Sequence, residues 1–188
     1  MPRHHSAQET EIKLPLADAA EGRRLLRSAG FRVARRRVFE SNTLFDTAGA
    51  KLRKSGLVLR VRQSGRRAVL TYKGPASVGR HKSREELETD LANAETFSAV
   101  LSRLGFQPVF RYEKYRTEYG EETGGIVTVD ETPIGVFLEL EGEPDWIDRT
   151  AVRLGFTTAD YITSSYASLY LRHRERNPKS PVDMIFGR

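Results

Sequence analysis

The chain of 188 residues is long enough for one domain with a substantial core, or for two small ones at most. It carries 31 Lys and Arg against 25 Asp and Glu, a net charge of +6, so nucleic acid, a membrane surface or a small polyanion are the partner classes to weigh. The chain has no cysteine, which excludes disulfides, thiolate catalysis and cysteine-based zinc sites.

The hydropathy of the chain predicts neither a signal peptide nor a membrane span. Residues 1–8 have no apolar segment, and no apolar run approaches the roughly 20 residues that cross a bilayer. The paired His4 and His5 are interpreted as part of an exposed tail rather than as metal ligands. We therefore expect a cytoplasmic protein that does not enter membranes.

The first predicted strand covers residues 8–16 and contains the pattern Glu9-x-Glu11-x-Lys13. Side chains alternate in a strand, so these three share one face, with the carboxylates about 7 Å apart. Such a pair suits a hard divalent cation, and the lysine would face the anion that the cation holds. By itself the pentapeptide favours the alternative of an ordinary solvent-facing strand. The opposite face carries Thr10, Ile12 and Leu14.

Four helices are predicted. The first begins at the N-cap Asp18 and runs to residue 29, and its inner face carries Leu25 and Leu26. The others cover residues 95–104, 145–154 and 164–174, and a Gly-Phe pair follows each of the first three helices. The tail from residue 177 contains proline and is not expected to form a core element, although Met184 and its two neighbours are apolar enough to dock.

The other segments are predicted as strands and turns. Residues 32–46 form one long strand or two, residues 47–56 a loop, residues 64–67 a hairpin turn, residues 74–81 a polar, mobile loop and residues 120–125 a turn. Further strands are predicted over residues 58–63, 68–73, 84–88, 111–119, 126–130 and 135–143.

Charged residues recur in register along one face of these strands, while the opposite faces are apolar. The basic set is Lys13, Arg60, Arg62, Lys73, Arg84, Lys114 and Arg116. The acidic set is Glu9, Glu11, Glu86, Glu88, Asp130, Glu139 and Glu141. We predict an α+β fold: a closed antiparallel β-barrel of about eight strands with a charged tunnel interior and helices packed outside. The two signs offset each other, because an interior of one sign would cost several kcal/mol per charge.

A charged tunnel suits a polyphosphate held by arginines, lysines and a carboxylate-bound metal ion. The alternative is a conventional antiparallel sheet with a wet, salt-bridged face. Nucleic acid fits less well, since the strands carry as many acids as bases and no aromatic residue interleaves the basic stripe.

In their order along the chain, these residues resemble the CYTH family, the triphosphate tunnel metalloenzymes, from Glu9 to about Tyr170. The family's members include class IV adenylyl cyclases and thiamine, inorganic and RNA triphosphatases. The matching motifs are Glu9-x-Glu11-x-Lys13, Leu59-Arg60-Val61-Arg62 with Lys73, Arg84-x-Glu86-x-Glu88, Lys114-x-Arg116, Asp130 and Glu139-x-Glu141. Residues 70–75 and Ser165-Tyr166 look most like the cyclase branch, whereas Leu44 stands where many members carry tyrosine.

The resemblance implies a single domain at residues 1–176, a tail at residues 177–188, and a site with assigned roles. Phosphate binding falls to Lys13, Arg60, Arg62, Lys73, Lys114 and Arg116. Binding of Mg²⁺ or Mn²⁺ falls to Glu9, Glu11, Asp130, Glu139 and Glu141. The catalytic assignments are Lys73, Arg84 and Glu86.

The implied function is a divalent-metal-dependent enzyme acting on ATP, thiamine triphosphate or inorganic triphosphate. A cyclase would release cyclic AMP and pyrophosphate, whereas a triphosphatase would release orthophosphate, and both use the same cationic cradle. A non-catalytic nucleotide- or polyphosphate-binding module stays open as a second class of function. A homodimer stays open as the form of assembly.

Overall fold

The computed structural model describes residues 7–121 and 124–187, in which the chain forms nine strands and five α-helices. The strands are β1 (Ala7–Leu16), β2 (Arg32–Thr47), β3 (Val58–Ser64), β4 (Arg67–Lys73), β5 (Ser77–Val78), β6 (Lys82–Leu91), β7 (Phe106–Gly120), β8 (Ile126–Thr132) and β9 (Gly135–Glu141). The helices are α1 (Ala19–Ser28), α2 (Lys51–Lys54), α3 (Ala94–Arg103), α4 (Pro144–Arg153) and α5 (Tyr166–Arg176), and a short 3₁₀ turn covers Thr158–Asp160.

Eight of the strands close into an antiparallel barrel. Their order is β1-β9-β8-β7-β2-β3-β4-β6, and β6 pairs back onto β1 through registers such as Glu9 with Arg84. The two-residue β5 pairs with β6 alone. Beyond Lys82, the first residue of β6, Ile162 exchanges two backbone hydrogen bonds with Lys13 and continues the wall beside β1. The predicted α+β fold with a closed barrel of eight strands is confirmed.

The apolar faces of the strands point outward and are covered by helices. Ile12, Leu138 and Leu140 are fully buried against α1 and α4, which contribute Leu26 and Ile147. A second outer cluster places Leu101 of α3 against the β2 and β3 residues Phe45 and Val61. Because side chains alternate along each strand, this packing turns the charged faces toward the barrel axis.

The helix ends follow the sequence signals. Asp18 accepts a hydrogen bond from the backbone of Glu21 at the start of α1, as predicted. Gly30, which follows α1, has φ of 87°, a conformation that glycine adopts without steric cost. The same capping glycine follows α3 and α4, which confirms the predicted helix ends to within about one residue.

The prediction of a loop over residues 47–56 was wrong in part, because this segment contains α2. The buried Asp46 carboxylate accepts backbone hydrogen bonds from Leu52 and Arg53 and holds this helical turn against the barrel. The loop at residues 74–81 likewise includes β5, and the His81 Nε2 atom lies 2.8 Å from Asp148 Oδ1 on α4. Residues 32–46 form a single irregular strand, interrupted by register shifts.

The C-terminal segment closes one end of the barrel. Tyr166 and Tyr170 of α5 pack against Tyr112 and Phe137, whose side chains point inward from β7 and β9. Met184 of the tail is fully buried in this cluster, and its backbone exchanges hydrogen bonds with β7. The prediction that apolar residues of the tail could dock against the rest of the chain is therefore confirmed for Met184.

Some sequence predictions fall outside the described residues, namely the tail with His4 and His5 and the middle of the turn at residues 120–125. Of the helices that the structure describes, none is both long and apolar enough to traverse a bilayer.

Candidate active site

The barrel encloses a cavity of about 1190 Å³. Its walls bring together twelve of the thirteen residues predicted for the site, from six different strands: Glu9, Glu11, Lys13, Arg60, Arg62, Lys73, Arg84, Glu86, Lys114, Arg116, Glu139 and Glu141. We call this charged interior the lumen. The remaining predicted residue, Asp130, is fully buried in the wall behind Lys114 and Arg116.

One ion-pair cluster in the lumen joins β1, β4 and β6. Lys73 Nζ lies 2.6 Å from Glu9 Oε2 and 3.0 Å from Glu86 Oε2, so one ammonium group bridges two carboxylates. Burial raises the pKa of Glu86 to about 7 against the opposing charge of Lys73, and the Glu9 carboxylate adds to the rise. The cluster is therefore short of positive charge, and Glu86 can hold or release a proton near neutral pH.

A second cluster fixes the two arginines of β3. Both guanidinium groups donate to Glu88, with Arg60 Nη2 and Arg62 Nη2 each 3.2 Å from Oε1. The Arg60 guanidinium also donates to Thr71 Oγ1 at 3.1 Å and to the Tyr112 hydroxyl at 3.2 Å. These contacts hold two planar cations on one wall, which is the arrangement that grips phosphate oxygens in pairs.

A third cluster lies between β1 and β9. The Lys13 ammonium group is 3.2 Å from Glu11 and 3.1 Å from Glu139, and Lys82 donates to the other oxygen of Glu11. Burial lowers the pKa of Lys13, but the two carboxylates raise it more, so it lies above its ordinary value. Lys13 therefore stays cationic over the whole working range of pH.

Asp130, which is fully buried, is the centre of a fourth cluster. Its carboxylate accepts hydrogen bonds from Lys114 Nζ at 2.8 Å, from Arg116 Nε at 2.7 Å and from the Tyr166 hydroxyl at 2.9 Å. Arg116 also pairs with Glu139. The nitrogen atoms of Lys13 and Lys114 lie over the Tyr166 ring, 5.2 Å and 5.3 Å from its centroid. Asp130 thus orients the two cations of the Lys114-x-Arg116 motif.

Two lumen side chains lack an oppositely charged partner among the described residues. Arg84 is 8% exposed, no carboxylate lies within 4 Å of it, and its buried Nε has no hydrogen-bond acceptor. Glu141 has no cationic side chain within 4 Å, and burial together with the Glu9 charge raises its pKa to about 7. Burying a charge without a partner is costly in free energy. A bound anion beside Arg84 and a bound cation beside Glu141 would each reduce this cost.

The carboxylates fit a divalent metal by chemistry. Glu11 lies directly opposite Glu141 in the β1–β9 register, and Lys13 lies opposite Glu139, so hard oxygen donors face each other across two strands. Within residues 7–121 and 124–187, no three acidic or histidine side chains already converge on one point. Glu9, Glu11 and Glu139 are each engaged by lysine or arginine, so a metal ion would bind beside, or in exchange for, these cations.

The structure adds lumen residues that sequence reasoning missed. Lys82 lies two positions before Arg84 on β6, so its period-2 spacing was a usable signal. It was missed because the predicted strand began only at residue 84. Tyr112 likewise precedes Lys114 by two positions. Glu40 and Asn42 of β2 are buried in the wall opposite Lys114 and Tyr112 and do not line the cavity itself. Among the described residues, Glu40 Oε2 has no hydrogen bond but lies 3.8 Å from Lys114 Nζ, and the Asn42 amide has no hydrogen-bond partner. Nothing in their local sequence distinguishes them from surface residues.

Comparison with known proteins agrees with this architecture. The sequence profile described as "CYTH domain" matches residues 7–166. A Methanocaldococcus jannaschii protein, provisionally named an adenylate cyclase, is 30% identical over 133 residues, which is 71% of this chain and 75% of the relative.

Solved structures share the fold. The PH1819 protein of Pyrococcus horikoshii superposes with a TM-score of 0.74 at 27% identity, over 88% of this chain and 99% of that one. A Hippeastrum protein, provisionally named an adenylyl cyclase and described as having a dominant triphosphatase activity, gives a TM-score of 0.62 at 21% identity, over 92% and 97% of the two chains. The profile match over most of the chain, together with the archaeal relative, shows that this chain belongs to the CYTH family.

Proposed function

We propose that this protein is a divalent-metal-dependent enzyme that acts on a triphosphate bound in the lumen. The observation that carries the proposal is Arg84, a buried arginine with no carboxylate partner among the described residues, in the wall of a cavity lined by further lysines and arginines. A guanidinium group in such a place is stabilised by an anion with several oxygen acceptors, and a phosphate chain provides them.

Each wall of the lumen has a part in this proposal. The phosphate chain is held by Lys13, Arg60, Arg62, Lys73, Lys114 and Arg116. The metal ion, Mg²⁺ or Mn²⁺, is held by carboxylates from the set Glu9, Glu11, Asp130, Glu139 and Glu141. When bound, the ion neutralises charge on the phosphate oxygens and polarises them. Lys73, Arg84 and Glu86 form the catalytic wall.

The reaction is an in-line displacement at phosphorus, in which the protein contributes positioning and charge stabilisation. Attack by the ribose 3′-hydroxyl on the α-phosphorus gives a cyclic nucleotide and pyrophosphate. Attack by water on the terminal phosphorus gives orthophosphate and releases the remaining diphosphate. The provisional name of the archaeal relative favours testing the cyclase first. The description of the Hippeastrum protein makes triphosphate hydrolysis the second candidate.

The test is turnover of ATP, thiamine triphosphate and inorganic triphosphate, measured side by side with Mg²⁺ or Mn²⁺ and then with a chelator. We expect metal-dependent consumption of at least one triphosphate, abolished in Lys73→Ala and retained in Arg149→Ala, a variant of an exposed helix residue outside the cavity. Metal-dependent binding without any product would refute the enzyme and leave the binding module. Turnover unaffected by the chelator would refute the metal requirement.

A further inference from the structure

A carboxylate of β2 is buried in the barrel wall, behind the cations of the lumen. Glu40 is 1% exposed and does not line the cavity. Among the described residues, its Oε2 atom has no hydrogen-bond partner, and the Lys114 Nζ atom is 3.8 Å from it. Buried polar groups are nearly always hydrogen-bonded, so this carboxylate requires an explanation.

The position of Glu40 on β2 places it between two strands that carry most of the phosphate-binding cations. It lies opposite Lys114 of β7 and opposite Ser64 of β3. Residues two positions apart in a strand share a face, so Glu40 faces the same side as the cations of both neighbouring strands. Four of the six residues proposed to hold the phosphate chain belong to this group: Arg60, Arg62, Lys114 and Arg116.

Glu40 and these four cations influence one another through their charges. Burial raises the pKa of Glu40, but the four cations lower it more, so it lies below its ordinary value of 4.5 and Glu40 is ionised at neutral pH. The interaction is mutual, so the Glu40 charge reduces the positive potential that the same cations present to a ligand. Because Glu40 is buried, salt screens this effect only weakly.

Orientation of the cations and metal binding do not account for the charge on Glu40. Asp130 already accepts hydrogen bonds from Lys114 and Arg116 and orients them. Glu40 does not line the cavity, so it cannot contact a metal ion bound there. The wall also accommodates a neutral amide, since the fully buried Asn42 lies two positions away on the same face. The negative charge itself is therefore what distinguishes Glu40 from a glutamine.

We propose that Glu40 is a positioning residue that acts through the lumen cations, and that its buried negative charge weakens the binding of polyphosphates so that the product can dissociate. The inference rests on the proposed function, because it assumes that these cations hold the phosphate chain. Binding energy that is equal for substrate, transition state and product does not raise the rate of the chemical step. Cyclisation of ATP and hydrolysis of inorganic triphosphate both leave pyrophosphate in the lumen, where the cations would otherwise retain it.

The experiment measures dissociation constants for inorganic triphosphate and pyrophosphate by calorimetric titration, with Mg²⁺ and again with a chelator. Thermal denaturation of the ligand-free proteins is recorded in parallel. Glu40→Gln removes the charge and keeps the shape, and the reciprocal variant Asn42→Asp adds a second charge on the same buried face. The matched control is Glu95→Gln, which makes the same change of net charge at an exposed residue of α3 outside the cavity.

We expect Glu40→Gln to bind both ligands roughly 3- to 30-fold more tightly than the wild type, because a poorly screened repulsion has been removed. The factor should be the same with Mg²⁺ and with the chelator, since Glu40 acts on the cations and not on the metal. The ligand-free Glu40→Gln protein should have a lower Tm, because the cations lose part of their counter-charge. Asn42→Asp should weaken binding by a similar factor, and Glu95→Gln should change it by less than about twofold.

Three results would overturn the inference while leaving the proposed function intact. Unchanged or weaker binding by Glu40→Gln, together with a lower Tm, would show that Glu40 only supports the fold. A gain of affinity confined to the measurements with Mg²⁺ would assign the effect to the metal, and an equal gain in Glu95→Gln would assign it to net charge. If Glu40→Gln does not fold, unchanged affinity of Asn42→Asp overturns the inference instead. Failure of the wild type to bind either ligand with Mg²⁺ would overturn the proposed function and the inference together.

Discussion

Replacing Arg84 by methionine tests whether this arginine binds the ligand or stabilises the fold. The substitution keeps most of the aliphatic volume and removes the charge. A charge-assisted hydrogen bond is worth about 1.5–3 kcal/mol, so we expect triphosphate affinity to fall about 10- to 150-fold. A buried donor without a partner costs about 1–3 kcal/mol, so the ligand-free variant should be at least as stable as the wild type. At this chain length each 1 kcal/mol gained would raise Tm by roughly 2–4 °C.

The assay combines calorimetric titration of a triphosphate with thermal denaturation of the ligand-free protein. The matched control is Arg149→Met, which removes an exposed arginine outside the cavity and should change neither quantity. The reasoning would be refuted if Arg84→Met lowered Tm and left triphosphate affinity unchanged. Arg84 would then be a structural residue, and its isolation from carboxylates would have no bearing on an anion.

Asp130→Asn removes the negative charge that Lys114 and Arg116 share, and the loss of this buried partner should lower the free energy of unfolding by about 3–5 kcal/mol. Thermal or urea denaturation would detect this loss, and unchanged stability would contradict the role of Asp130 in the cluster. Glu141→Gln should abolish metal-dependent turnover. The circular dichroism spectrum of the variant should match that of the wild type, because Glu141 has no cationic partner within 4 Å among the described residues. Full activity would show that Glu141 is not a metal ligand. Acid should destabilise the protein: burial raises the pKa of Glu139, but Lys13 and Arg116 lower it well below its ordinary value of 4.5. The stabilisation that ionised Glu139 contributes is thus present above about pH 4.5 and is lost as pH falls toward its folded-state pKa. The urea concentration at the unfolding midpoint should therefore decrease as pH is lowered from about 5 to about 3. A midpoint that stays constant over this range would contradict the predicted direction.

The barrel could be predicted from the sequence because its determinants are local and repetitive. The alternation of Glu9, Glu11 and Lys13 fixes which face of β1 turns inward, and similar alternation on β3 and β9 does the same for Arg60 and Glu139. Capping signals such as Asp18 fix the helix ends from a few neighbouring residues. The charged lumen can be predicted once the charged face of every strand is placed on the inner side of the barrel.

The pairing inside the lumen could not be predicted, because it depends on strand order and register. Lys73 contacts Glu9, which is 64 positions away, only because β4 and β1 both flank β6 in the closed sheet. The helical turn α2 was missed for a related reason, since Asp46 reaches forward to the backbone of Arg53 and stabilises a segment with no apolar periodicity of its own. The burial of Met184 likewise depends on a pocket that residues of distant elements create together.

The lumen is held by ion pairs that a ligand must partly replace. Lys73 already bridges Glu9 and Glu86, and Arg62 already contacts Glu88. A triphosphate therefore gains affinity from the groups that lack partners and exchanges contacts with the others, as the balance of buried charges requires. Bound metal would offset the negative charge that the carboxylates and phosphates then share.

The central claim is that a triphosphate bound in the lumen is converted with the help of a divalent metal. ³¹P NMR of the protein with ATP and Mg²⁺, repeated with inorganic triphosphate and with a chelator, tests it most directly because every phosphorus-containing product is observed at once. The account predicts that the triphosphate resonances decline only in the presence of metal. They are replaced either by pyrophosphate and a cyclic nucleotide, or by orthophosphate together with a diphosphate, which is ADP from ATP and pyrophosphate from inorganic triphosphate. Spectra that stay unchanged for both substrates, although the protein is saturated with triphosphate, would contradict the claim.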